Sequence, residues 1–87
     1  MQDDIATLRG QINLLDEQLV KLLNERAAIA INLGKLKAAA GTRAYDPERE
    51  LTVLKQVVRL NQGPLSKGDI EDIFAAIITA CRELQSR

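Results

Sequence analysis

A single cation interrupts an otherwise apolar heptad pattern in the first half of the sequence. Ile and Leu recur at alternating steps of three and four residues, and Arg26 occupies one position of the series. The series is Ile5, Leu8, Ile12, Leu15, Leu19, Leu22, Arg26, Ile29, Leu33 and Leu36. A guanidinium in an apolar seam is costly unless it is paired. Arg26 therefore needs an anionic partner, and the pattern fits a bound ligand as well as a salt bridge, for example to Glu25 of another helix.

Two further cations on the same helix extend the ligand interpretation. Lys37 follows Arg26 by eleven residues, which puts it within about 20° of Arg26 and ~16 Å along the axis, so both side chains can reach one small anion. Arg9 is ~26 Å from Arg26 and would serve a partner subunit's site if two such helices pair antiparallel. Taken alone, Lys37 and Arg9 are typical of solvated helix residues.

Polar residues in the other two helices add candidates. Arg49 and Glu50 fall in the first turns of a second helix, where free backbone N–H groups favour an oxygen-rich ligand. Cys81 and Gln85 are four residues apart and share one face of a third helix. Each also has a simpler explanation. Arg49 and Glu50 fit a solvated charge pair, Cys81 a small buried apolar residue, and Gln85 a polar residue at a helix end.

The elements that carry these residues are three predicted helices, at about 3–40, 47–60 and 67–86. Gly41 suits a left-handed C-cap, Asp46 followed by Pro47 is a strong helix start, and Ser66 with Asp69 forms a capping-box pattern. No stretch alternates with period two, so strands are not expected. We predict a single all-α domain over residues 1–87.

The length of the first helix predicts an assembly. It would extend for about 54 Å. A compact domain of this size has a radius of gyration of about 12 Å and therefore spans only about 30 Å. The helix must therefore overhang a monomer and expose its apolar stripe. A second copy is the simplest cover, which predicts an intertwined homodimer.

Composition excludes several classes of function. Twelve basic and twelve acidic residues cancel, so nucleic acid and membrane surfaces are not favoured as partners. The sequence has no histidine and one cysteine, Cys81, so we predict no intrachain disulfide and no structural zinc site. No signal peptide is apparent and the predicted location is cytoplasmic. Any catalysis would work by positioning and electrostatics on a polyanion.

Several segments together resemble the all-helical class of chorismate mutase. The resemblance runs from about Ile5 to Gln85, nearly the whole chain. Its parts are Leu8-Arg9, Ile12, Leu15-Asp16, Leu22-Leu23-Asn24-Glu25-Arg26, Gly34-Lys35-Leu36-Lys37 and Asp46-Pro47-Glu48-Arg49-Glu50. It implies an intertwined dimer that rearranges chorismate to prephenate, in phenylalanine and tyrosine biosynthesis, without a cofactor or metal.

The resemblance also implies a role for each candidate. Arg26, Arg49 and the arginine at position 9 of the other subunit would bind the two carboxylates of chorismate. Lys37 and Gln85 would donate hydrogen bonds to the ether oxygen, so Lys37, Gln85 and Arg26 are the predicted catalytic residues. Glu50 and the backbone near Asp46 would hold the ring hydroxyl. Cys81 aligns where many family members carry serine and would be a weak S–H donor to a carboxylate.

Three other functions remain open from the sequence. Isochorismate-pyruvate lyase shares the scaffold, although Glu50 stands where those lyases tend to be apolar. A coiled-coil module without catalysis would also explain the heptads. A regulatory domain, or docking to or fusion with another shikimate-pathway enzyme, is a further possibility.

Overall fold

Residues 4–86, the part of the chain that the computed structural model describes, fold into three α-helices joined by two loops, and no strand occurs there. The helices are α1 (Ile5–Ala39), α2 (Pro47–Leu60) and α3 (Lys67–Gln85). The all-α prediction with a long first helix is confirmed. α1 begins at Ile5, where the Asp4 carboxylate caps it by accepting a hydrogen bond from Thr7 N at 2.7 Å. The predicted start at residue 3 lies outside the described residues.

The C-terminus of α1 is closed by a Schellman motif. Gly41 has a left-handed φ of 73° and its N–H donates to the Ala38 carbonyl at 3.1 Å. The next amide, Thr42 N, donates to the Lys37 carbonyl at 2.8 Å. The chain therefore leaves the helix beside Lys37, and the loop that follows stays close to this side chain.

Side-chain caps fix the starts of the other two helices. Asp46 Oδ1 accepts from Arg49 N at 3.1 Å, which sets Arg49 and Glu50 in the first turn of α2. At α3, Ser66 and Asp69 exchange two hydrogen bonds of 3.0 Å. The bonds from Ser66 hold the pKa of the Asp69 carboxyl below its usual value.

Helix α3 packs against both α1 and α2, and it approaches α1 closely at a glycine. A Cβ on Gly34 would lie 2.8 Å from Gln85 Cα and 2.9 Å from the Gln85 carbonyl oxygen. These are backbone atoms of a helix, so a side chain here must push the two helices apart. Gly34 thus allows the end of α3, and Gln85 with it, to lie directly on α1.

We expect Gly34→Ala to lower the free energy of unfolding by about 1–3 kcal/mol, the usual cost of overpacking. Urea titration followed by circular dichroism measures this value. Gly68→Ala is the matched control, because the nearest atom to its new Cβ is Ser66 Oγ at 3.9 Å, an ordinary contact. A Gly34→Ala protein as stable as the wild type would contradict this packing.

Nothing else within residues 4–86 covers the N-terminal half of α1. Every residue from Leu8 to Glu25 is exposed, and Leu15, Leu19 and Leu22 are each more than half accessible, at 58%, 56% and 60%. The molecule measures 58 × 23 × 15 Å, with a radius of gyration of 16.3 Å against about 12 Å for a compact chain of this length. No helix within residues 4–86 is long and apolar enough to cross a membrane.

Candidate active site

A pocket of about 260 Å³ lies where the second half of α1, the start of α2 and the end of α3 meet. Seven of the eight residues that the sequence singled out line this pocket: Arg26, Lys37, Asp46, Arg49, Glu50, Cys81 and Gln85. They come from all three helices and the loop before α2, and positions 26 and 85 are far apart in the chain. The fold therefore brings the predicted site together, apart from Arg9.

Lys37 is held at the pocket by two acceptors. Its Nζ donates to the Ala44 carbonyl at 3.1 Å and to Gln85 Oε1 at 3.3 Å. An ammonium group has three protons, so one remains for a ligand. Because the Gln85 oxygen accepts from Lys37, the amide nitrogen is the part of Gln85 that can donate to a bound molecule. Lys37 and Gln85 thus form a pair of donors whose positions are set by each other.

Arg26 is half-buried on the same face of α1, beside an apolar wall formed by Ile29, Ala30 and Leu33. Within the described part of this chain, the guanidinium forms no ion pair with a carboxylate. Its charge is therefore directed to a pocket with apolar sides, where an anion would interact with it more strongly than in water.

The start of α2 contributes one cation and two carboxylates. Arg49 is exposed at the rim, and Glu50 is half-buried. Two acceptors of Asp46 are used by the helix cap, since Oδ1 takes Arg49 N at 3.1 Å and the carbonyl takes Glu50 N at 3.0 Å. Asp46 therefore acts mainly by fixing the first turn of α2, which carries Arg49 and Glu50.

Cys81 lies at the buried side of the pocket. It is 6% exposed and its thiol is free. The predicted α3 face is observed, because Cys81 and Gln85, one turn apart, both line the cavity. Ile78, one turn earlier, is also buried and completes the apolar floor.

Arg82 is a pocket residue that the sequence analysis missed. Its Nε donates to Glu50 Oε2 at 2.9 Å, and its guanidinium lies 4.7 Å from the centre of the Tyr45 ring. A signal was present, because Arg82 is three residues before Gln85 and so shares a face with it. In the last turn of a helix, however, an arginine is equally explained by the helix dipole.

Arg9 does not reach the pocket of its own chain. It is exposed near the start of α1, about 26 Å along the axis from Arg26. The pocket without it contains four cationic side chains against two carboxylates, a surplus of two positive charges. A small dianion matches that surplus. Among residues 4–86, no group of three His, Cys, Asp or Glu side chains could hold a metal ion.

These features define a helical protein with a pocket of net positive charge. The model of one protein family, described as chorismate mutase type II, matches residues 8–86. The match covers almost the entire chain, and the chain therefore belongs to the chorismate mutase type II family.

Similar proteins agree with this assignment. The bifunctional chorismate mutase/prephenate dehydratase of Pseudomonas aeruginosa is 36% identical over 97% of this chain. The protein of the same name in Aquifex aeolicus is 33% identical over 98% of it. The chain spans about a quarter of the length of these curated relatives, 24% and 25% respectively.

A solved structure shows the same fold along almost the whole chain. The chorismate mutase (form II) of Thermus thermophilus superposes with a TM-score of 0.93 at 30% identity. The likeness covers 95% of this chain and 94% of that one. The overhanging α1 is thus part of the shared fold.

Proposed function

We propose that this protein converts chorismate to prephenate. The observation that carries the proposal is one pocket in which four cations outnumber two carboxylates. Within this pocket, Lys37 donates a hydrogen bond to Gln85. Chorismate is a small dianion, and its rearrangement is intramolecular. The pocket therefore has to fold the substrate and stabilise charge in the transition state, which fixed donors can do.

The carboxylates of the substrate would be bound by arginines. Arg26 and Arg49 flank the pocket from α1 and α2, and a guanidinium can bind a carboxylate through two parallel hydrogen bonds. Binding both carboxylates at once favours the folded conformer, in which the reacting carbons are close. Cys81, on the floor, would add a weak S–H donor to one carboxylate.

Lys37 and Gln85 would act on the ether oxygen as its C–O bond breaks. Negative charge builds on this oxygen in the transition state, so a cation and an amide N–H there stabilise the transition state more than the substrate. The bond from Lys37 to Gln85 Oε1 supports this role because it orients the amide nitrogen as a donor. Glu50, helped by the backbone near Asp46, would accept the ring hydroxyl of chorismate.

Turnover of two substrates by the purified protein tests the proposal. With chorismate, we expect its absorbance to fall and prephenate to appear. With isochorismate, we expect no salicylate or pyruvate above the buffer rate. Loss of chorismate no faster than in buffer would refute the mutase proposal, and activity on isochorismate alone would establish the lyase instead.

We further propose that the working form is a homodimer in which Arg9 completes the partner's site. The uncovered stripe of α1 between Leu8 and Glu25 supports a second copy, because so long an apolar face is unfavourable in water. Antiparallel pairing of two α1 helices about a point near residues 17 and 18 would set the Arg9 of one copy opposite Arg26 of the other. This arrangement would supply a third arginine to the pocket.

Mixing two defective variants tests the shared site. Arg9→Ala and Lys37→Ala should each have little activity alone. After joint unfolding and refolding at equal amounts, half the dimers are mixed and one site in each is intact, so about a quarter of wild-type activity should return. Mixing Lys37→Ala with Arg26→Leu is the control. Each of these changes disables the site of the chain that carries it, so the mixed dimer has no intact site and should regain no activity. No recovery in the first mixture would exclude sharing through Arg9.

The partner enzymes and the cellular location of the protein stay predictions. The relatives join a chorismate mutase to a prephenate dehydratase in their names, which supports docking to or fusion with another shikimate-pathway enzyme. A cytoplasmic location agrees with the free thiol of Cys81.

A further inference from the structure

An ion pair between α3 and α2 forms part of the pocket wall. Arg82 Nε lies 2.9 Å from Glu50 Oε2, and both side chains line the cavity. They are about one third and one quarter exposed, at 34% and 23%. The two residues are 32 positions apart in the sequence, and the pair links α3 to α2 across the pocket wall.

Glu50 needs such a partner if the pocket binds a dianion. Its carboxylate shares the cavity with Arg26, Lys37 and Arg49, the cations that the substrate would use. A free carboxylate there would compete with the substrate for these cations and would repel it. Arg82 binds one oxygen, Oε2, and leaves Oε1 as the acceptor for a neutral donor such as a hydroxyl group.

Arg82 also contacts the loop between α1 and α2. Its guanidinium lies 4.7 Å from the centre of the Tyr45 ring, within the range of a cation–π contact. Tyr45 belongs to the loop between α1 and α2, and the neighbouring Ala44 carbonyl accepts from Lys37 Nζ at 3.1 Å. The loop therefore contacts both Arg82 and Lys37, so the guanidinium is fixed on its ring side and on its carboxylate side.

We propose that Arg82 is a positioning residue for the mutase reaction, which holds Glu50 away from the substrate-binding cations and directs its free oxygen to the substrate hydroxyl. The inference rests on the proposed function. It differs from a structural role, in which the pair would only tie α2 to α3. A partly exposed ion pair contributes little to stability, so the structural role predicts a small change in thermal midpoint and no change in KM.

Steady-state kinetics with chorismate distinguishes the two roles. We expect Arg82→Ala and Arg82→Gln to raise KM about tenfold with kcat nearly unchanged, because the competition acts equally on ground and transition states. Arg82→Lys keeps the charge and should restore most of the loss. Arg59→Ala removes an exposed arginine at the end of α2, outside the pocket, and is the control for net charge.

A double-mutant cycle with Glu50→Gln identifies the residue through which Arg82 acts. In the Glu50→Gln background, the amide does not compete for cations, so Arg82→Ala should raise KM only about threefold or less. Equal effects in both backgrounds would overturn the inference. A variant with a lower thermal midpoint but wild-type KM would also overturn it, while the proposed function would stand. A wild type that does not consume chorismate would refute both.

Discussion

Replacing Lys37 with alanine is expected to lower kcat by about 10²–10³-fold while the helices remain intact. One preorganised donor to an oxygen that gains charge is worth about 3–4 kcal/mol of barrier. Lys37 also holds Gln85 through the 3.3 Å bond, so the second donor loses its orientation at the same time. KM should change much less than kcat, because the contact strengthens only in the transition state.

The same helix offers a matched control for this change. Lys35 is two residues away and exposed, and it does not line the pocket, so Lys35→Ala makes the same chemical change off the site. Its kcat should equal that of the wild type, as measured by the loss of chorismate absorbance. A Lys37→Ala protein with wild-type kcat would show that the ether oxygen is stabilised elsewhere.

Replacing Arg26 with leucine should separate catalysis from folding. Without the guanidinium, one substrate carboxylate loses its main partner. We expect kcat/KM to fall by a factor that corresponds to a loss of about 2–5 kcal/mol in transition-state binding. The thermal midpoint should stay the same or rise, because an apolar residue continues the Ile and Leu series around it. Replacing a buried charge by an apolar side chain often stabilises a helical core.

Activity decides between an enzyme and a helical interaction module. A module without catalysis has no use for Arg26 beyond helix pairing, so Arg26→Leu would change only stability. Arg26→Lys is the informative control, since it keeps the charge but loses the planar two-donor geometry and should bind chorismate more weakly than the wild type. Full kcat/KM in Arg26→Leu would contradict the role of this residue in the site.

The helices and their ends could be predicted because their signals are local. Gly41, Asp46 and Ser66 act on backbone groups a few residues away, and the structure contains each of these caps. Arg26 and Lys37 could be assigned to one face for the same reason, since helical geometry alone fixes their separation.

Two features of the site could not be predicted because they depend on distances between helices. The bond from Arg82 to Glu50 joins residues 32 positions apart, and neither residue alone indicates the other. The contact of Gly34 with Gln85 depends on how closely α3 approaches α1. A glycine inside a helix indicates a close neighbour but does not identify it.

The continuity of α1 constrains how sequences of this kind can vary in length. Arg26 and Lys37 lie within one uninterrupted 35-residue helix, so their relative position depends only on the number of residues between them. One inserted or deleted residue in that interval would rotate Lys37 by about 100° and shift it by about 1.5 Å, away from Gln85 and Ala44. Insertions and deletions between Arg26 and Lys37 are therefore incompatible with the site, although both residues belong to one largely exposed helix.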